Sequence, residues 1–382
     1  MDQARLDALV LAEPSNVRYF TGLRSWFTTL PPVLPIVAVV VPKPELSTVV
    51  DTTTELGSIR DASWIDSPEL YGPRDEPMHT LAAALRRRNL AGGRLGFELG
   101  TGRLPHVSPA DFATLRTLLP NATFVDASDL LHAARAIKSA AEIALVRRSV
   151  DLIVRAFQAV CQSLRPGLTE IEMTRIASAA LLDAGGEPDL NPAVFIFMAG
   201  KERYRSPLLP ATDRALKPNE LVSLDGGCSV RGYHSDFARA AVLGEAGTEV
   251  ERQFDATVQA LMAAESVIGV GRPLGDAWSA AQSVLEANGL GEFAVNPLNI
   301  GHSIGLDHWE RPTVSRPDSE MGKVRARAGM VLCVEPQVAG TAGDDSWSRG
   351  LFLVEDQLLV GDQGVEILTA DFPRDLYITG GP

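Results

Sequence analysis

The chain has 382 residues, 45% of them hydrophobic, and a formal net charge of -13. That length exceeds one ordinary core, so two domains are expected. The acidic balance argues against nucleic acid as a partner, because phosphate binding needs clustered Lys and Arg.

Three scattered cysteines, Cys161, Cys228 and Cys333, show no CxxC spacing. They fit a reducing compartment and offer no zinc-finger or disulfide framework. The opening MDQARLDALVLAEP lacks a basic segment followed by an apolar run, so no signal peptide is expected. The longest apolar stretch, Pro32 to Pro42, falls short of the ~20 residues that span a bilayer. The expectation is a cytoplasmic enzyme with no membrane partner.

In chain order, DALVLAEP (7–14) reads as a short buried strand ended by Pro14. IVAVVVP (36–42) and STVVD (47–51) read as two more strands. MHTLAAALRRRNL (78–90) has helical spacing and is closed by Gly92 and Gly93, and RLGFELG (94–100) is another strand. The first third is therefore an α/β domain, residues 1–134. From Ser139 the pattern changes to one long amphipathic helix over 139–164, with Ser139 and Glu142 as a capping box. Thr169 and Glu172 open a second helix in the same way. After Asn219 come strands (LVSLDGGCSV, YHSDFARAAVLG), helices over about 249–268 and 275–288, then strands at GMVLCVEPQV and LFLVEDQLLVG. A helix pair, strands and an acidic pair thus occur twice, suggesting a duplicated α+β domain over 135–382.

Four acids lie inside apolar strands. A tight turn centred between Val230 and Arg231 would set Asp225 directly opposite Asp236. A hairpin centred on residue 345 would likewise oppose Glu335 and Glu355. Two exposed strand carboxylates are the plain alternative for the first pair. Burying one unpaired carboxylate costs several kcal/mol, and each pair repels by roughly 4 kcal/mol at 4 Å and an effective dielectric of 20. Such a cluster survives around cations, and two divalent ions would balance all four charges. His302, in the glycine-rich loop NIGHSIGLDHWERP, offers a fifth group, although taken alone such a histidine is more often structural. Mixed oxygen and nitrogen donors suit Mn, Fe, Co or Zn rather than Ca or Mg.

These residues resemble the signature of the creatinase, prolidase and methionine aminopeptidase superfamily, whose catalytic domain has the pita-bread fold. DALVLAEPSNVRYFTG is similar to the start of its creatinase-type N-terminal domain, and RAIKSAAEIALVRRS to the entry into its catalytic domain. TDRALKPNELVSLDGG, GYHSDFARAAVLG, GHSIGL, GMVLCVEP and VEDQLLVGDQGVEILT follow in the family's order. The resemblance implies that Asp225 and the bridging Asp236 bind one metal. His302 and Glu335 bind the other, and Glu355 bridges. Glu335 would also take a proton from the attacking water.

Departures from the pattern bear on substrate. Leu208 stands where the family's peptidases carry a histidine. Trp309 replaces a second histidine, His308 lies one residue early, and Leu353 replaces a common Arg. Ordinary Xaa-Pro dipeptidase activity is therefore doubtful. The expected reaction is hydrolysis of a C–N bond in a small dipeptide-like or zwitterionic substrate, with a metal-dependent lyase as the alternative. TGLRSWF (21–27) is similar to TGxxxWSF of relatives acting on small zwitterions, in which that loop reaches the neighbouring subunit's site. This implies a homodimer with Trp26 contacting substrate, or else a core aromatic. His308 is the candidate general acid/base. His234, two positions before Asp236, shares its face and is a candidate substrate contact, with packing as the alternative. Trp309 is the third candidate contact.

Overall fold

The computed structural model describes residues 1, 4–24, 36–41, 43–100, 107–186, 193–204, 208–339 and 350–379. They form two compact units, Met1–Ala134 and Arg135–Pro382.

The first unit holds one six-stranded sheet in the order β4-β3-β2-β1-β5-β6. Its strands are β1 (Ala8–Leu11), β2 (Val37–Val40), β3 (Thr48–Thr52), β4 (Glu69–Tyr71), β5 (Arg94–Phe97) and β6 (Thr123–Asp126). Helices α1 (Pro14–Thr21), α2 (Leu56–Ala62), α3 (Pro77–Arg87), α4 (Pro109–Leu118) and α5 (Ser128–Ala136) connect them, α5 running on past the end of the unit. Only β1–β2 and β2–β3 pair antiparallel. Pro14, expected to end a strand, instead opens α1, where its missing N–H costs nothing. Glu13 caps that helix through the Asn16 N–H, and Glu98 accepts from the Ala12 and Glu13 amides.

The second unit opens with α6 (Ala140–Ser163) and α7 (Glu170–Asp183), both started by the capping boxes read from the sequence. Helix α6 buries Val146, Val150, Ile153, Phe157 and Val160, one face at helical spacing. Phe157 packs at 5.5 Å from Phe197 and 4.7 Å from Phe237. These rings sit on the sheet formed by β7 (Val194–Ala199), β8 (Leu221–Gly227) and β11 (Phe237–Leu243). The short pair β9 (Ser229–Val230) and β10 (Tyr233–His234) extends the β8–β11 hairpin. A second helix pair, α8 (Thr248–Val267) and α9 (Gly275–Ala287), precedes a second sheet in the order β13-β12-β14-β17-β18. Its strands are β12 (Asn299–Ser303), β13 (Glu310–Ser315), β14 (Val331–Val334), β17 (Asp356–Gly361) and β18 (Gly364–Ile367). Between β14 and β17, β15 (Gln337–Ala339) pairs with β16 (Leu351–Leu353). The last strand, β19 (Tyr377–Thr379), returns to lie beside β11. Helix pair followed by sheet thus occurs twice, the pita-bread arrangement, with β19 joining the first sheet parallel to β11. Among the described residues, no helix is long and apolar enough to cross a membrane.

Candidate metal centre

The β8–β11 hairpin turns at Arg231 and Gly232, with φ of 45° and 74°. Positive φ at both central residues is the geometry of a two-residue hairpin turn. The pairing is therefore centred one residue later than the sequence reading placed it, and Asp225 faces Ala238 rather than Asp236. A shift of two positions along a strand keeps the face, so Asp236 is the diagonal neighbour of Asp225. Asp236 lies in a break of the ladder. Gly227 makes that break possible, because a Cβ there would sit 1.8 Å from the Ser235 carbonyl.

The glutamates lie where the hairpin reading put them. The β14–β17 ladder ends on Val334 opposite Asp356, and the β15–β16 ladder resumes with Gln337 opposite Leu353. Glu335 and Glu355 occupy the gap between these two ladders. Residues 340–349, which join β15 to β16, lie outside the described residues. Glu355 donates its amide to the Ala238 carbonyl at 3.1 Å, which joins the two sheets at the site. Buried Arg239 secures the junction: it donates to the Glu355 carbonyl at 2.6 Å and to Asp356 at 2.8 Å.

His302 lies on strand β12, not in a loop. Gly301 allows this, since a Cβ there would meet the Cys333 carbonyl at 2.1 Å. The ring Nδ1 lies 3.0 Å from the Ser303 carbonyl, which can only accept, so Nδ1 carries the proton and Nε2 presents a lone pair. Nε2 is 3.5 Å from Asp236 Oδ2 and 3.8 Å from Glu335 Oε1. Donor atoms around one tetrahedral ion at ~2.1 Å stand roughly 3.4 Å apart, so the spacing suits a shared cation. Glu355 Oε1 is buried without a hydrogen-bond partner. Burial, then Asp236 and Glu335, push Asp225 far above the ordinary carboxylate range. Burial and the neighbouring acids raise Glu355 likewise. Burial also raises Glu335, and Asp236 adds to it, while the Gln337 hydrogen bond opposes them. Burial opposes the Asp236 charge, but His308 at its Oδ2 prevails and holds its pKa low. Divalent cations would neutralise all four carboxylates at once, so the donor set fits divalent metal.

His308 reaches the same centre from the loop after β12. Its Nε2 is 2.8 Å from Asp236 Oδ2. Burial opposes its charge, but Asp236 prevails and raises its pKa to about 9. His234 stands edge-on to His308, with ring centres 5.7 Å apart, and does not line the cavity. Burial pushes its pKa down to about 4. Trp309 stacks 5.6 Å from His302 and is 47% exposed. Trp26 lies outside the described residues, and Leu353 is buried.

The cavity at the centre measures about 530 Å³. Val194, Ile196, Leu208, Val295 and Trp309 make its apolar wall, and Asn296, Asn299 and Gln337 supply neutral amides. No Lys or Arg appears among its described lining residues. Gln337 donates to Glu335 Oε2 at 2.6 Å. Sequence reasoning missed Gln337 and also the ion cluster behind the His308 loop. There Arg135 bridges Asp307 and Glu310, and Lys138 donates to Glu310 at 3.1 Å and to Ser303 at 3.2 Å. Its ion-pair partners stand 172 to 175 positions apart, so no local pattern marks the cluster.

Residues 144–362 match the model of metallopeptidase family M24, and residues 1–137 match that of the creatinase/prolidase N-terminal domain. An uncharacterized peptidase of Staphylococcus aureus is 25% identical over 371 residues, covering 97% of this chain and 96% of its own. Among solved structures, a Xaa-Pro dipeptidase from Bacillus anthracis superposes with a TM-score of 0.82 at 21% identity, over 99% of this chain and 96% of that one. A prolidase from Thermococcus sibiricus gives a TM-score of 0.84 at 20% identity, over 99% and 96%. At those identities the two structures speak to fold alone.

Proposed function

Because the chain belongs to metallopeptidase family M24 and is thereby a metallopeptidase-like hydrolase, we propose that it binds two divalent ions and hydrolyses a C–N bond of a small dipeptide-like or zwitterionic substrate. Asp225, Asp236, His302, Glu335 and Glu355 are the proposed ligands, and Mn, Co, Fe or Zn the candidate metals. The observation that carries this reading is the convergence of His302 and His308 on one oxygen of Asp236. When bound, such ions polarise a carbonyl and acidify water toward neutral pH.

The chain's own residues then divide the proton transfers. Glu335, held by Gln337, takes a proton from the attacking water. His308 faces the cavity and returns a proton to the leaving nitrogen. Trp309 and Leu208 replace polar groups with apolar surface, so the pocket favours a compact substrate over a prolyl dipeptide. A cytoplasmic location suits the composition.

The test is an assay of protein reloaded with each metal against Xaa-Pro dipeptides and small amides. Weak turnover of Gly-Pro and Ala-Pro beside a better small amide is expected. Efficient cleavage of either dipeptide would refute a divergent specificity. A second reading, a metal-dependent lyase, draws on His308 as a proton-transfer group already hydrogen-bonded into the centre. Reaction in ¹⁸O-labelled water separates the two, because only hydrolysis places the label in the product.

A further inference from the structure

The floor of the centre carries one side chain that the proposed mechanism leaves unused. Cys333 pairs directly with His302 across β12–β14, and with Gln357 across β14–β17. Side chains directly opposite share a face, so His302, Cys333 and Gln357 form one row under the acids. Glu335 lies two positions beyond Cys333, and Glu355 two before Gln357. Single donor atoms of Asp236, His302, Cys333 and Glu355 all lie within 4.8 Å of one another. All four residues are buried, Cys333 completely. The row has a second member that holds the site in place: Gln357 accepts from the Asp236 amide at 3.1 Å. The other two thiols lie elsewhere. Cys228 donates to the Ser149 carbonyl at 3.2 Å, and Cys161 lies on the buried face of α6.

Resting on the reading of a metal centre, we propose that Cys333 is a sulfur ligand of the ion bound by His302, Asp236, Glu335 and Glu355. That position then has one nitrogen, three oxygen donors and one sulfur, a mixed set within the four- to five-coordinate range of zinc. Sulfur donors select Zn(II) and Co(II) over the harder Mn(II) and Mg(II). Coordination replaces the S–H proton, which leaves to solvent. The second position, on Asp225, has oxygen donors only and is the harder of the two. The two sites therefore differ in metal preference, and a mixed-metal centre is the consequence.

Cobalt(II) reads this directly, because thiolate ligation adds a charge-transfer band in the near ultraviolet while the visible bands report the ion's geometry. Protein stripped of metal and titrated with Co(II) is expected to show that band with the first equivalent. Cys333→Ser should lose the band, retain bound cobalt, and shift the Zn-over-Mn preference down by about ten-fold or more, the scale on which loss of a partner at a metal site acts. Should that variant not fold, the Cys161→Ala/Cys228→Ala double variant assigns the sulfur, since it should keep the band. Bound cobalt with visible bands and no charge-transfer band in the wild type would overturn the ligand assignment while leaving the metal centre standing. A band that disappears in the double variant would overturn it too. Failure to bind cobalt at all would overturn both.

Discussion

His308 Nε2 lies 2.8 Å from Asp236 Oδ2. The contact puts an imidazole, on a loop that departs from the family's spacing, at the carboxylate proposed to bridge the metals. A general acid or base must stand within hydrogen-bond reach of the reacting groups, and the proposal that His308 does so rests on its half-exposed position facing the cavity beside Asp236. His308→Gln is expected to keep its metal and to lower kcat by roughly 10²–10⁴-fold on the best small-amide substrate. Full metal content with nearly unchanged kcat would remove His308 from the chemistry and leave Glu335 with the proton transfers.

The loop that carries His308 is held by the Arg135, Lys138 and Glu310 cluster. Burial opposes the Glu310 charge, yet Lys138 and Arg135 hold its pKa at about 2 against an ordinary 4.5. A depressed folded pKa stabilises the native state above the unfolded pKa and ceases to do so as pH falls. The contribution, on the order of 3 kcal/mol, is present above about pH 4.5 and fades towards pH 2. Thermal unfolding of wild type and Glu310→Gln across pH 3–7 checks it. The variant should be the less stable at pH 7, where it leaves two buried cations short of a partner, and the gap should narrow below pH 4.5. A gap that stays constant with pH would refute the assignment.

How much of this was legible in the sequence depends on which distances are short along the chain. The helix starts at Ser139 and Thr169 were, because a capping box spans only four residues. The face shared by Asp225 and Asp236 was legible but their register was not. The turn centre depends on which residues accept positive φ, and here Arg231 does so beside Gly232. The glutamate register was legible because both flanking ladders share one centre. The glycines beside His302 point to closely packed backbone, as Gly301 against Cys333 shows, but not to the strand that carries it. Arg135 and Glu310 are 175 positions apart, and Cys333 meets His302 only across a ladder. Contacts of that kind have no local signature.

Residues 25–35 lie outside the described structure, so the proposal for Trp26 rests on the likeness of TGLRSWF to the loop of dimeric relatives. Sedimentation is expected to show a homodimer. Trp26→Ala should retain metal and dimer while losing substrate affinity. A monomer with full activity would rule out a shared site.

Metal stoichiometry tests the central claim most directly. Protein reloaded with Mn, Co or Zn, desalted and subjected to elemental analysis, should carry close to two divalent ions per chain, and Asp236→Ala should lose both metal and activity. Wild-type protein that binds no divalent ion under those conditions would contradict the assignment of Asp225, Asp236, His302, Glu335 and Glu355 as a dinuclear centre.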